Sequence, residues 1–112
     1  MCGIVGIYGH ENAAAMAHLG LYSLQHRGQE SSGIVAVDRE RGARAIKSMG
    51  LVSESPSSPA VENLPGSIAI GHTRYSTAGS STIENAQPML ARFRDGHIGL
   101  AHNGNIVNAS EL

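Results

Sequence analysis

The sequence predicts an α+β fold, and three observations carry that prediction. Short apolar runs recur between turn signals, at lengths suited to strands. Two pairs of these runs are separated by only a few residues, the mark of hairpins. The stretch 12–25 instead spaces its apolar residues as one face of a helix. The chain has 112 residues, enough for one small domain or part of a larger one.

Taken in order, GIVGIY (3–8) reads as a short buried strand, ended by Gly9 and the polar HEN. Asn12 is placed to cap a helix whose apolar face holds Ala13, Met16, Ala17, Gly20 and Leu24. Gly20 costs that helix about 1 kcal/mol relative to Ala, which predicts a close neighbour there. HRGQESSG (26–33) reads as a loop, IVAVD (34–38) as a strand, RERG as a turn and ARAIKSM (43–49) as the hairpin partner. From Leu51 to Gly66 the composition turns Ser- and Pro-rich, a surface excursion within one domain. The strand SIAIGHTRY (67–75) comes next, then the loop STAGSST and the stretch NAQP. A second hairpin joins MLARF (89–93) to IGLAHNG (98–104) around Asp95-Gly96. Asn108-Ala-Ser-Glu111 has the form of a capping box and announces a helix where the sequence stops, which suggests truncation. The strands would then form incomplete sheets with unpaired edges.

Composition narrows the chemistry. Eight Lys and Arg stand against nine Asp and Glu, with no basic stripe. The only aromatics are Tyr8, Tyr22, Tyr75 and Phe93, so a nucleic-acid groove or a stacking platform is not expected. A single cysteine excludes an intrachain disulfide framework and a CxxC metal site. The six histidines show no HxxxH or HExxH spacing, so no metal is expected, and no phosphate loop or GxGxxG is present. CGIVGIYG has no basic flank like a signal peptide and is too short to span a membrane, so the expected compartment is the cytoplasm.

Three stretches carry candidate chemistry. Cys2, the lone thiol, becomes the first residue once the initiator Met1 is removed. It then carries its own base, an α-amine with a pKa of about 7.7–8.0. It could equally be a small apolar residue opening a strand. His26, His72 and His102 are the weaker candidates for a base. In AHNGN (101–105), the Asn103 amide and the Gly104 backbone N–H could together form an oxyanion hole. Asn-Gly is also the preferred pair of a type I′ turn. In GHTRYSTAG (71–79), Arg74 interrupts an apolar strand, and a guanidinium fits a carboxylate in bidentate fashion. It could also bond loop carbonyls. Arg27, in HRGQ, reads as a structural tie to the strand that carries Cys2.

Together and in this order, the stretches resemble the glutaminase domain of class II glutamine amidotransferases. CGIVGI matches the start exposed by removal of Met or a propeptide. SLQHRGQESSGI, GHTRYSTAG, ENAQP and LAHNGNIVNASEL are similar to the amidophosphoribosyltransferase branch of that family. The resemblance runs through the whole chain, departing only in the missing propeptide and at the variable Ser76. It implies an N-terminal nucleophile hydrolase fold, an αββα sandwich. Residues 1–112 would supply the first half of that domain, without the phosphoribosyltransferase domain.

The same resemblance implies site roles. Cys2 would attack the glutamine side-chain carbonyl, and its α-amine would pass the proton to departing ammonia. Asn103 and Gly104 would hold the oxyanion, Arg74 the α-carboxylate, with Tyr75 and Thr77 lining the pocket and Arg27 steadying the nucleophile. Ammonia would pass to 5-phosphoribosyl diphosphate, giving phosphoribosylamine for purine synthesis. Full-length relatives imply Mg2+ in the transferase domain, an iron–sulfur cluster in some, and a homo-oligomer. The rival readings are another amidotransferase of the class, a free-standing hydrolase of the same fold, or an inactive fragment with a binding role only.

Overall fold

The computed structural model describes residues 2–25, 29–52, 59–75, 82–104 and 107–112. Its elements are β1 (Gly3–Tyr8), α1 (Ala13–Leu24), β2 (Ser31–Asp38), β3 (Gly42–Met49), α2 (Pro59–Glu62), β4 (Ile68–Arg74), β5 (Met89–Phe93) and β6 (Gly96–Leu100). Every expected strand is present, most with slightly different ends. β2 starts at Ser31, inside the stretch expected to be loop, because Ser31 and Ser32 continue the ladder opposite Met49 and Ser48.

The four-stranded sheet runs β1-β4-β2-β3, all antiparallel. β4 inserts between β1 and β2, although it comes after both in the chain, and is therefore buried from Gly71 to Thr73. Strand parity then sorts the side chains. Val5, Ile7, Ile34, Ala36 and Ala69 face α1, in a core closed by Ala13, Ala17, Leu21, Val52 and Val61. The opposite face receives the β5–β6 hairpin, where a Cβ on Gly99 would lie 3.0 Å from Val35 Cγ1 and 3.2 Å from Ile70 Cδ1. The described residues thus build a helical layer, a four-stranded sheet and a two-stranded sheet. This is the expected sandwich without its far helical layer.

Three expectations need correction. The Asn12 side chain makes no cap bond; its backbone N–H instead donates to His10 Nδ1 at 3.0 Å. The buried face of α1 is Ala13, Ala14, Ala17, His18 and Leu21, while Met16 and Leu24 are exposed. The reason lies in β4. Gly71 leaves a notch into which Leu21 fits so closely that a Cβ would sit 2.9 Å from its Cγ and Cδ1, and this rotates the helix toward Leu21. At 109–111 the expected α-helix is a single 3-10 turn, with the Glu111 N–H donating to the Asn108 carbonyl at 2.9 Å. Gly20 does meet a close neighbour, since its Cβ would lie 2.9 Å from Val5 Cγ2.

The 51–66 excursion is anchored where it is described. Gln25, just past α1, accepts from the Val52 N–H at 2.8 Å and donates to the Val52 carbonyl at 3.1 Å. Val61 of α2 is buried in the main core.

Candidate active site

Because β1 and β4 run antiparallel, the start of β1 meets the end of β4. Gly3 lies opposite Thr73, and its N–H donates to Thr73 Oγ1 at 3.1 Å. This bond fixes the backbone immediately after Cys2. Cys2 is half-buried, and its Sγ lies 3.9 Å from the Tyr75 carbonyl oxygen. Cys2 has the parity of Ile4, so it belongs to the face turned away from α1. The residues just after β6 approach from that side.

The approach is direct. Asn103 Nδ2 donates to the Cys2 carbonyl at 3.3 Å across 101 residues of sequence. The segment is not the tight hairpin turn that Asn-Gly could have formed. The β5–β6 turn lies at 94–95, and Asn103 lacks the positive φ that both central residues of a type I′ turn require. Gly104 has φ +150°. A Cβ there would be strained and 3.2 Å from the His102 ring, so the backbone can pass under that ring only as glycine.

Two side chains hold His102. Gln87 Oε1 accepts its N–H at 2.7 Å, and His72 Nε2 lies 3.1 Å from its carbonyl. A carbonyl only accepts, so Nε2 carries the proton in this bond. His72 is fully buried in the central strand, opposite Gly33 and Ile4. Burial pushes its pKa below the ordinary value; the bond to His102 opposes that shift, and the nearby Arg74 charge adds to it. Gln87 is itself placed by a glycine: a Cβ on Gly33 would collide with the Gln87 carbonyl oxygen.

The expected site residues therefore divide. Cys2, the Asn103 side chain and the Tyr75 backbone come together at one end of β1 and β4, and Gly104 follows Asn103 in the chain. The Arg74 guanidinium, two residues from buried His72 on the same face of β4, donates through one NH to the Asn85 carbonyl at 2.7 Å. That contact matches the loop-carbonyl role the sequence also allowed, and it holds the turn before Gln87. The Tyr75 side chain is exposed. Arg27 and Thr77 lie outside the described residues. Sequence reasoning assigns no role to Thr73 or Gln87 and weighs His72 only as a base. All three sit inside GHTR and NAQP, the motifs that could have pointed to them.

The arrangement offers a half-buried thiol at Cys2 and an amide donor, Asn103 Nδ2, on the backbone carbonyl of the same residue. A nucleophile with adjacent oxyanion donors is the equipment of acyl transfer from an amide or ester.

Comparison with known proteins agrees with that chemistry. A family model for class-II glutamine amidotransferases matches residues 1–111. The chain is 53% identical over 111 residues to amidophosphoribosyltransferase 2, chloroplastic, of Arabidopsis thaliana, covering 99% of this chain and 20% of the relative. It superposes on the allosteric regulatory enzyme of purine biosynthesis with a TM-score of 0.84 at 46% identity, covering 99% of this chain and 24% of that structure. The glutamine phosphoribosylpyrophosphate amidotransferase of B. subtilis, complexed with ADP and GMP, gives a TM-score of 0.81 at 45% identity, with coverages of 99% and 23%. The chain spans about a fifth of the length of the Arabidopsis relative.

Proposed function

The chain belongs to the class-II glutamine amidotransferases, and from that premise we propose that it carries the glutamine-hydrolysing site of an amidophosphoribosyltransferase. One observation carries the reading: Asn103 reaches Cys2 from the far end of the sequence and places its amide donor 3.3 Å from that residue's carbonyl. Relatives at about half identity bear that enzyme's name.

In this reading Met1 is removed and the Cys2 thiol attacks the side-chain amide carbon of glutamine. The α-amine of Cys2 takes the thiol proton and returns it to the leaving nitrogen, so ammonia departs and a thioester forms. The Asn103 amide and the Gly104 N–H stabilise the oxyanion as it develops. Water then attacks the thioester, again through an oxyanion, and releases glutamate. Arg74 supplies the positive charge for the substrate carboxylate, and the family resemblance assigns pocket-lining roles to Tyr75 and Thr77 and a supporting role to Arg27. The ammonia is consumed by 5-phosphoribosyl diphosphate at a separate site.

No step here is routed through a metal. In this reading Mg2+ would serve the phosphoribosyl transfer, and an iron–sulfur cluster would need more thiolates than Cys2 alone supplies. Among the described residues no helix is long and apolar enough to cross a membrane, and the reading places the reaction in the cytoplasm.

The test is Cys2→Ala in the complete gene product. Glutamine-dependent activity is expected to vanish while ammonia-dependent transfer persists. Substantial glutamine hydrolysis by Cys2→Ala would reject the assignment.

A further inference from the structure

His72 is an unusual occupant of a central strand. A wholly apolar side chain would fill that position without desolvating two ring nitrogens. Its Nδ1 is buried and has no hydrogen-bond partner among the described residues. Leaving a polar atom so placed is destabilising. The polar contact its ring does make is the bond from Nε2 to the His102 carbonyl. Burial keeps the imidazole neutral, so this bond uses its one N–H.

That carbonyl matters because it shares a peptide plane with Asn103. The His102 N–H lies in the plane before its Cα, and the His102 carbonyl lies in the plane after it, which also carries the Asn103 nitrogen. Gln87 Oε1 holds the first plane at 2.7 Å and His72 holds the second at 3.1 Å. Fixing both planes fixes both backbone dihedrals of His102, and so the point from which the Asn103 side chain leaves. From there the Asn103 amide reaches the Cys2 residue. Both clamping groups are rooted in packed structure: His72 in the central strand, Gln87 against Gly33 of β2.

We infer that His72 and Gln87 are positioning residues for the oxyanion-binding segment, acting through the two peptide planes of His102 to aim the Asn103 amide. The inference rests on the glutaminase reading above and adds to it the groups that preorganise the donor. Neither residue touches the reacting atoms. Displacing a donor by a fraction of its bond length lowers the stabilisation of charge that exists only in the transition state, so the effect falls on kcat.

The experiment is steady-state glutamine hydrolysis by the complete gene product with His72→Phe, His72→Gln, Gln87→Leu and Cys2→Ala, alongside thermal melting of each. His72→Phe should lower kcat by about 10- to 100-fold while KM for glutamine stays within about threefold. His72→Gln, whose amide nitrogen can reach the Nε2 position, should recover most of that loss. Gln87→Leu, at a half-buried site, should show the same selective fall in kcat. If His72→Phe does not fold, the other two variants still decide. Wild-type kcat in His72→Phe or in Gln87→Leu, with Cys2→Ala inactive, would overturn the clamp alone. So would a loss shared equally by kcat and KM and not recovered by His72→Gln. Glutamine hydrolysis that survives Cys2→Ala would overturn the glutaminase reading and the clamp with it.

Discussion

Asn103 and Arg74 are the two nitrogen donors proposed for the substrate, and their physical situations differ. Asn103 is a neutral donor aimed at the Cys2 residue, suited to a charge that appears during the reaction. Arg74 is a permanent charge, anchored on the Asn85 carbonyl, suited to a charge the substrate always carries. Their substitutions should therefore separate kinetically. Asn103→Ala is expected to lower kcat by about 100- to 1000-fold, as loss of an oxyanion donor does elsewhere. Arg74→Lys keeps the charge and loses the planar fork, so KM for glutamine should rise by about tenfold or more with kcat little changed. Initial-rate measurements over a range of glutamine concentrations check both. An interchange of the two patterns would mean the roles are reversed.

At the scale of elements, the approach of the two sheets depends on small residues at their contact. Gly33 of β2 lies against the Gln87 carbonyl, and its Cβ would also come within 3.1 Å of the Ile46 carbonyl oxygen. Both obstacles are backbone, which cannot rotate aside as a side chain can. Gly33→Ala should therefore force the 87–88 segment away from β2 and destabilise the protein by about 1–3 kcal/mol, the usual cost of overpacking. Since Gln87 holds His102, the same variant should also lose glutaminase kcat. A melting midpoint and turnover equal to wild type would show that the two sheets do not approach so closely.

For the molecule as a whole, the two faces of the β5–β6 hairpin differ sharply. One face meets Val35 and Ile70 through Gly99. The other presents Phe93, Ile98 and Leu100, with exposures of 50%, 55% and 62%. Contiguous apolar surface of this kind drives association, and the hairpin adds open strand edges. A polypeptide of these 112 residues made by itself is expected to bind a hydrophobic dye and to self-associate in sedimentation. Ile98→Thr with Leu100→Thr should reduce both. A monodisperse monomer without dye binding would contradict this picture.

Much of this protein is legible in the order of its residues. Strand periodicity and turn chemistry are local, so the two hairpins and the single long helix can be read from the sequence, as can the class of fold. The motifs around Cys2, Arg74 and Asn103 are equally visible, because each needs only a short run of residue types. The structure decided what depends on contacts between distant segments. It inserted β4 between β1 and β2, and that insertion brings Thr73 to Gly3 and makes His72 a buried residue. It turned α1 toward Leu21, because the notch at Gly71 lies in a strand 50 positions further on. It also drew Asn103-Gly104 out of the role of a tight turn and brought the Asn103 amide onto the Cys2 carbonyl. No local pattern could announce His72 or Gln87 as holding His102, because a hydrogen bond across the sheet interface leaves its mark only in three dimensions.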